Sequence, residues 1–131
     1  MSGMYGMNIK MAIYGESHGA SIGLVIDGIP PGLKLDLEAI EKEMARRAPG
    51  KSQLSTQRKE SDSFAIQSGF FEGYTTGTPL CVVIKNSDQH SKDYSILKDK
   101  MRPGHADYAG FVRYQGFNDY RGGGHFSGRL T

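Results

Sequence analysis

The sequence predicts an α+β fold of antiparallel strands with one amphipathic helix, and three observations carry that prediction. Apolar residues alternate at Ile9, Met11 and Ile13 and again at Ile22, Leu24 and Ile26, the period of strands with one buried face. Two further strand-like runs follow, "SFAI" with Phe64 and Ile66 alternating, and "LCVVIK" as a short, more fully buried strand. Between these pairs stands "DLEAIEKEMARRAPG", where Leu37, Ile40 and Met44 fall on one helical face.

Each element has its own punctuation. "GESHG", residues 15–19, separates the first two strands by so few residues that a hairpin is expected, with His18 at its tip. "GIPPG" ends the second strand, because prolines cannot donate to a ladder. Asp36 is placed to cap the helix and Glu38 lies in its first turn. Arg46 and Arg47 lie in the last turn, where the helix dipole favours cations. The polar stretch from Pro49 to Ser63 has Leu54 as its one sizeable apolar residue, the mark of a functional or disordered loop. "GYTTGTP" reads as a turn cluster joining the later strands. After a second polar stretch, Asn86 to Lys100, a short helix is expected in "MRPGHADYAGFVRYQG", capped by Asp107 and facing a core with Tyr108, Phe111 and Val112. No repeat and no domain boundary is visible.

Bulk properties limit the function classes. At 131 residues with 37% apolar content and no tryptophan, the chain fits one domain with a modest core. Its 18 glycines are near twice the usual share of about 7%, which points either to tight turns and backbone closely approached by ligands or to disorder. A net charge of +2 is too small to imply nucleic acid or a membrane surface. From Met101 onward the cations besides histidine are all arginine, at 102, 113, 121 and 129. Arginine suits bidentate recognition of phosphate or carboxylate. A single cysteine, Cys81, forms no intrachain disulfide, and no apolar run reaches membrane-span length, so a cytoplasmic protein is expected.

Four features bear chemistry. His18 sits between glycines beside Glu16 and Ser17, either as a turn histidine bonding its own loop or as a proton carrier. Arg102, His105 and Asp107 cluster around the Pro103-Gly104 turn; two histidines on such loops can supply a general acid and an anion partner. The basic set Arg46, Arg47, Lys51, Arg58 and Lys59 is either a solvated face or an anion site. The closing "RGGGHFSGRLT" is no P-loop, since no Gly-Lys-Ser/Thr follows its glycines. Its freed backbone amides can contact a phosphate or flat ring, His125 and Phe126 can pack on that ring, and Arg129 can hold an anion. No further His, Cys or carboxylate lies at metal-ligand spacing.

The motifs "GESHG", "DGIPPG", "RRAPG", "TQRKESD", "GYTTGTP", "RPGHADY" and "DYRGGGHFSGRLT" occur in the order and spacing of chorismate synthase, which the chain resembles from about Met7 to its last residue. The resemblance implies a fragment of a layered β-α-β sandwich, with residues 1–131 as the N-terminal portion of a single, longer domain. It implies an enzyme, a carbon-oxygen lyase of the shikimate pathway and aromatic amino acid biosynthesis. The family's reaction is the anti-1,4-elimination of phosphate from 5-enolpyruvylshikimate 3-phosphate, giving chorismate and using reduced FMN without net redox change. Homotetramers are the family's assembly, and some members use NAD(P)H to reduce the flavin.

Residue by residue, the resemblance makes His18 and His105 general acids, one near the leaving phosphate and one near the flavin. Arg47 matches an anion contact for substrate or pyridine nucleotide, while Gln53 stands where a second arginine is usual. His125, Phe126 and Ser127 occupy the flavin loop, where Arg-Ser-Ser is common, and Ser127 and Arg129 face the substrate. A further acidic site belongs to a part of the family's chain not among these residues. Taken alone, residues 1–131 are therefore expected to bind reduced FMN poorly and to catalyse nothing. The rival reading is an inactive or non-enzymatic anion-binding module that uses the same arginines.

Overall fold

The computed structural model describes residues 3–47, 63–86 and 97–127. In chain order the elements are β1 (Met4–Tyr5), β2 (Lys10–Gly15), β3 (Ser21–Asp27), α1 (Leu37–Arg47), β4 (Phe64–Ser68), β5 (Phe70–Phe71), β6 (Tyr74–Thr75), β7 (Leu80–Lys85), α2 (Asp107–Arg113) and α3 (Gly124–Ser127). Five strands form one sheet in the order β1-β2-β3-β7-β4, and β5 with β6 forms a two-stranded ribbon. The expected α+β class and the four predicted strands are all present. β1 was not expected; it pairs antiparallel with β2, Met4 opposite Ala12, and two residues are too few to show a period.

The chain divides into two compact units, Met1–Ala12 with Leu24–Lys85, and Ile13–Gly23 with Asn86–Thr131. They interleave along the sequence, so no linker marks a boundary and none was legible.

In the first unit, β4 and β7 pair antiparallel with Phe64 opposite Ile84, and an irregularity between Ile66 and Ser68 bends the edge. Leu80, 6% exposed, is the one buried apolar side chain among the described residues. The segment "GYTTGTP" is only partly a turn. Glu72 and Gly73, both at positive φ (48° and 91°), reverse the chain so that Phe71 faces Tyr74 and Phe70 faces Thr75, the geometry of a two-residue hairpin. Thr75 then anchors the proline loop that follows β3. Its hydroxyl donates to the Pro30 carbonyl at 2.7 Å and accepts from the Leu33 amide at 3.0 Å. Its backbone exchanges two more bonds with Gly32 and Leu33.

Helix α1 starts as expected: the Asp36 carboxylate accepts from the Ala39 amide at 2.9 Å. Leu37 and Met44 are half-buried, whereas Ile40 is exposed.

Helix α2, in the second unit, corrects the sequence reading in two ways. Asp107 does not cap it: Ala106 is the N-cap, without a side-chain cap bond, and Asp107 is the first helical residue. Nor do Tyr108, Phe111 and Val112 face a core; all three are exposed. The inward face is Asp107, Gly110 and Tyr114, spaced three and four apart. A glycine lets the helix approach its neighbours closely, and a carboxylate with an arginine partner then occupies the inward position that apolar periodicity assigns to phenylalanine.

Candidate functional site

The second unit is built around a buried histidine. After β2, the loop of residues 16–20 turns tightly, the Gly19 amide donating to the Glu16 carbonyl at 3.1 Å. Asn86, just past β7, fixes its base: the Asn86 amide donates to the Ala20 carbonyl, and its side chain donates to the Ser17 carbonyl at 2.7 Å. The Ser17 amide in turn donates to the Gly124 carbonyl at 3.0 Å. His18 emerges from this loop only 3% exposed.

The glycine-rich segment explains that burial. Gly122 has φ of +55°, and a methyl group built on it would lie 2.6 Å from His18 Nε2 and 2.7 Å from Ser17 Oγ. Real side chains do not tolerate such contacts, so only glycine allows the backbone to close over the imidazole. Within the "GGG" run, Gly122 therefore packs directly against the histidine.

Arg102 joins the "RPGHAD" turn to this lid. Its backbone amide and Nε both donate to Asp107 Oδ2 (2.9 and 2.8 Å), and Nη2 donates to Asp107 Oδ1 (2.9 Å) and to the Gly122 carbonyl (2.6 Å). The hydrogen-bonded Arg102 guanidinium holds the Asp107 carboxyl below its ordinary range, against a smaller opposing cost of burial. A parallel pair fixes the lid's other end. Arg121 donates from its amide, Nε and Nη2 to Asp119 at 3.1, 2.8 and 2.8 Å. Those bonds lower the Asp119 pKa and raise that of Arg121, each against a smaller opposing cost of burial.

His125 faces its own loop. Its Nε2 accepts from the Asp119 amide at 3.0 Å, which places the ring proton on Nδ1. Tyr114 meets the ring edge-on at 4.8 Å between centroids. His105 lies exposed on the Pro-Gly turn, its Nδ1 3.4 Å from the Pro103 carbonyl. The three motifs "GESHG", "RPGHAD" and "RGGGH" are thus brought together through His18, Arg102 and Gly122.

Other expected site residues are placed less fully. Arg47 ends α1, and Phe126 and Ser127 lie in α3; their side chains, and all of Lys51, Gln53, Arg58, Lys59 and Arg129, lie outside the described residues. Arg46 is a solvated cation, 77% exposed and 3.0 Å from Glu43. Among the described residues no three His, Cys, Asp or Glu side chains converge as a metal site. Sequence reasoning missed the Asp119–Arg121 pair, the Asn86 anchor and the closeness of Gly122 to His18. The first was visible as opposite charges two apart; the others join residues remote in sequence.

The family model described as chorismate synthase matches residues 9–131. The chain belongs to the chorismate synthase family. Among curated chorismate synthases it is 55% identical to that of Pyrococcus abyssi over 98% of this chain, and 50% identical to that of Cytophaga hutchinsonii over all of it. Each alignment covers 36% of the relative, so the chain spans about a third of the length of these relatives. A crystal structure of chorismate synthase superposes with a TM-score of 0.55 at 29% identity, covering 83% of this chain and 26% of that one.

Proposed function

We propose that these residues form part of a chorismate synthase active site, which eliminates phosphate from 5-enolpyruvylshikimate 3-phosphate to give chorismate. The observation that carries the proposal is His18: a titratable ring 3% exposed, held by three separate motifs of the family. Burying an imidazole carries a desolvation cost that a small apolar residue filling the loop would avoid. Excluding water around a proton donor strengthens its interaction with developing charge.

In this reading His18 and His105 act as general acids from the two faces of a site that the arginines make attractive to anions. Arg47 and Arg129, with Ser127, bind the substrate's carboxylate and phosphate groups. Reduced FMN, when bound, would supply transient electron density to the elimination. Phe126, Ser127 and the loop backbone are its proposed contacts. The Asp119–Arg121 and Arg102–Gly122 bonds that tie down the glycine loop support the reading. His125, whose Nε2 accepts from the Asp119 amide, is the further proposed contact of the flavin, its ring orientation set by that bond. The proposed assembly is the family's homotetramer, in the cytoplasm, with NAD(P)H as the candidate reductant.

The test uses the whole protein that carries this chain, with 5-enolpyruvylshikimate 3-phosphate and chemically reduced FMN. Equal amounts of chorismate and phosphate are expected, and none with oxidised FMN. Anion binding without product, or no preference for reduced flavin, would favour the non-enzymatic module.

A further inference from the structure

We infer that Arg102 and Asp107 are positioning residues that seat His18 by holding the Gly122 backbone over it. The inference deepens the proposed function and rests on His18 as the proton-transferring group. The chain of contacts is short. Asp107 fixes both ends of Arg102, through the backbone amide and through a two-point contact with the guanidinium. The same guanidinium reaches the Gly122 carbonyl at 2.6 Å. Gly122 lies so near His18 Nε2 that an added methyl would stand 2.6 Å from it. Any shift of the Gly122 peptide therefore opens or closes the space that the imidazole occupies.

The alternative use of Arg102, as a cation for an anionic substrate, fits the geometry less well. Two of its nitrogens already serve a carboxylate, and that carboxylate neutralises the charge a substrate would seek. An arginine held this way sets distance and angle, and lysine lacks the planar fork that makes both contacts at once.

Two readouts test this in the whole protein. The first is acylation of histidine by diethyl pyrocarbonate, mapped by mass spectrometry, with exposed His105 as the internal reference for buried His18. Arg102→Ala and Asp107→Asn should raise the His18-to-His105 ratio by about fivefold or more, with thermal melting checked in parallel. The second is steady-state kinetics: kcat should fall about tenfold to a hundredfold while KM moves little, because misplacement by about 1 Å acts on the chemical step. Arg102→Lys should recover only part of either. An unchanged His18 ratio in folded Arg102→Ala would overturn the inference, as would a loss confined to KM, which would make Arg102 a substrate ligand. If Arg102→Ala fails to fold, Asp107→Asn carries the same test. The acylation ratio needs no turnover, so absence of chorismate formation by the wild type would count against the reaction and leave the clamp to be judged by the ratio.

Discussion

Two polar side chains are buried among the described residues, Thr75 at 4% exposure and His18 at 3%, and the two units use them differently. Thr75 closes its own region: its hydroxyl and backbone tie the proline loop after β3 to the β5–β6 hairpin. It replaces water bonds with protein bonds and offers nothing else. His18 is enclosed instead by backbone from the glycine loop, and the charged pairs Arg102–Asp107 and Arg121–Asp119 hold that loop from outside. In one region buried polarity fastens the scaffold; in the other the scaffold fastens a buried titratable group. The difference predicts that substitutions around Thr75 will cost stability and those around His18 will cost turnover.

Among substitutions of the residues that enclose His18, the largest effect should come from Gly122→Ala. A residue with a Cβ at φ of +55° is strained by about 1–2 kcal/mol, and the methyl would strike His18. Activity should fall about a hundredfold or more, measured as chorismate formation by the whole protein. Retention of full activity would mean that the loop does not seat the histidine.

Next comes Thr75→Val, which keeps the shape and deletes the hydroxyl. Leaving the Leu33 amide and the Pro30 carbonyl without it should destabilise the fold by about 1–3 kcal/mol. Denaturant titration reads that loss, and kcat should stay near wild type.

Acid should separate the regions more gently. Asp107 and Asp119 are held below their ordinary value of 3.8, each chiefly by hydrogen bonds from its arginine. A depressed folded pKa contributes stability that is present above the unfolded value and is lost as pH falls through the folded one. Below about pH 4 the Arg102 and Arg121 amides should therefore lose protection from hydrogen exchange before those of Leu33 and Thr75. Asp107→Asn and Asp119→Asn should abolish this ordering. The smallest effect belongs to Glu43→Gln, which breaks an exposed pair with Arg46. No more than about 0.5 kcal/mol should change in a melting experiment.

The same contrast governs what the sequence reveals. Strands near residues 9–13, 22–26, 64–66 and 80–85, and the Asp36 cap, follow local signals and appear where expected, although Ile9 precedes β2 and is exposed, and β3 is half-buried from Ser21 to Ile26 without alternation. The motif histidines were likewise visible, because glycine and proline punctuate their loops. Helix α2 was misread, since its apolar spacing points outward while Asp107 and Gly110 point in; no local rule announces that an inward carboxylate has an arginine partner five residues upstream. His125 illustrates the same limit. Its sequence neighbours place it in a ligand loop, but only the fold shows that the Asp119 amide engages its ring. Contacts such as Gly122 with His18 join positions too far apart for any period to encode.

The most direct test of the account is turnover of 5-enolpyruvylshikimate 3-phosphate by His18→Ala in the whole protein, with saturating substrate and reduced FMN, beside its thermal midpoint. Loss of a general acid costs roughly 10² to 10⁴ in rate, so a kcat reduced by that much is expected with a midpoint close to wild type. Wild-type turnover, or a loss of activity fully explained by unfolding, would show that His18 is a structural side chain like Thr75.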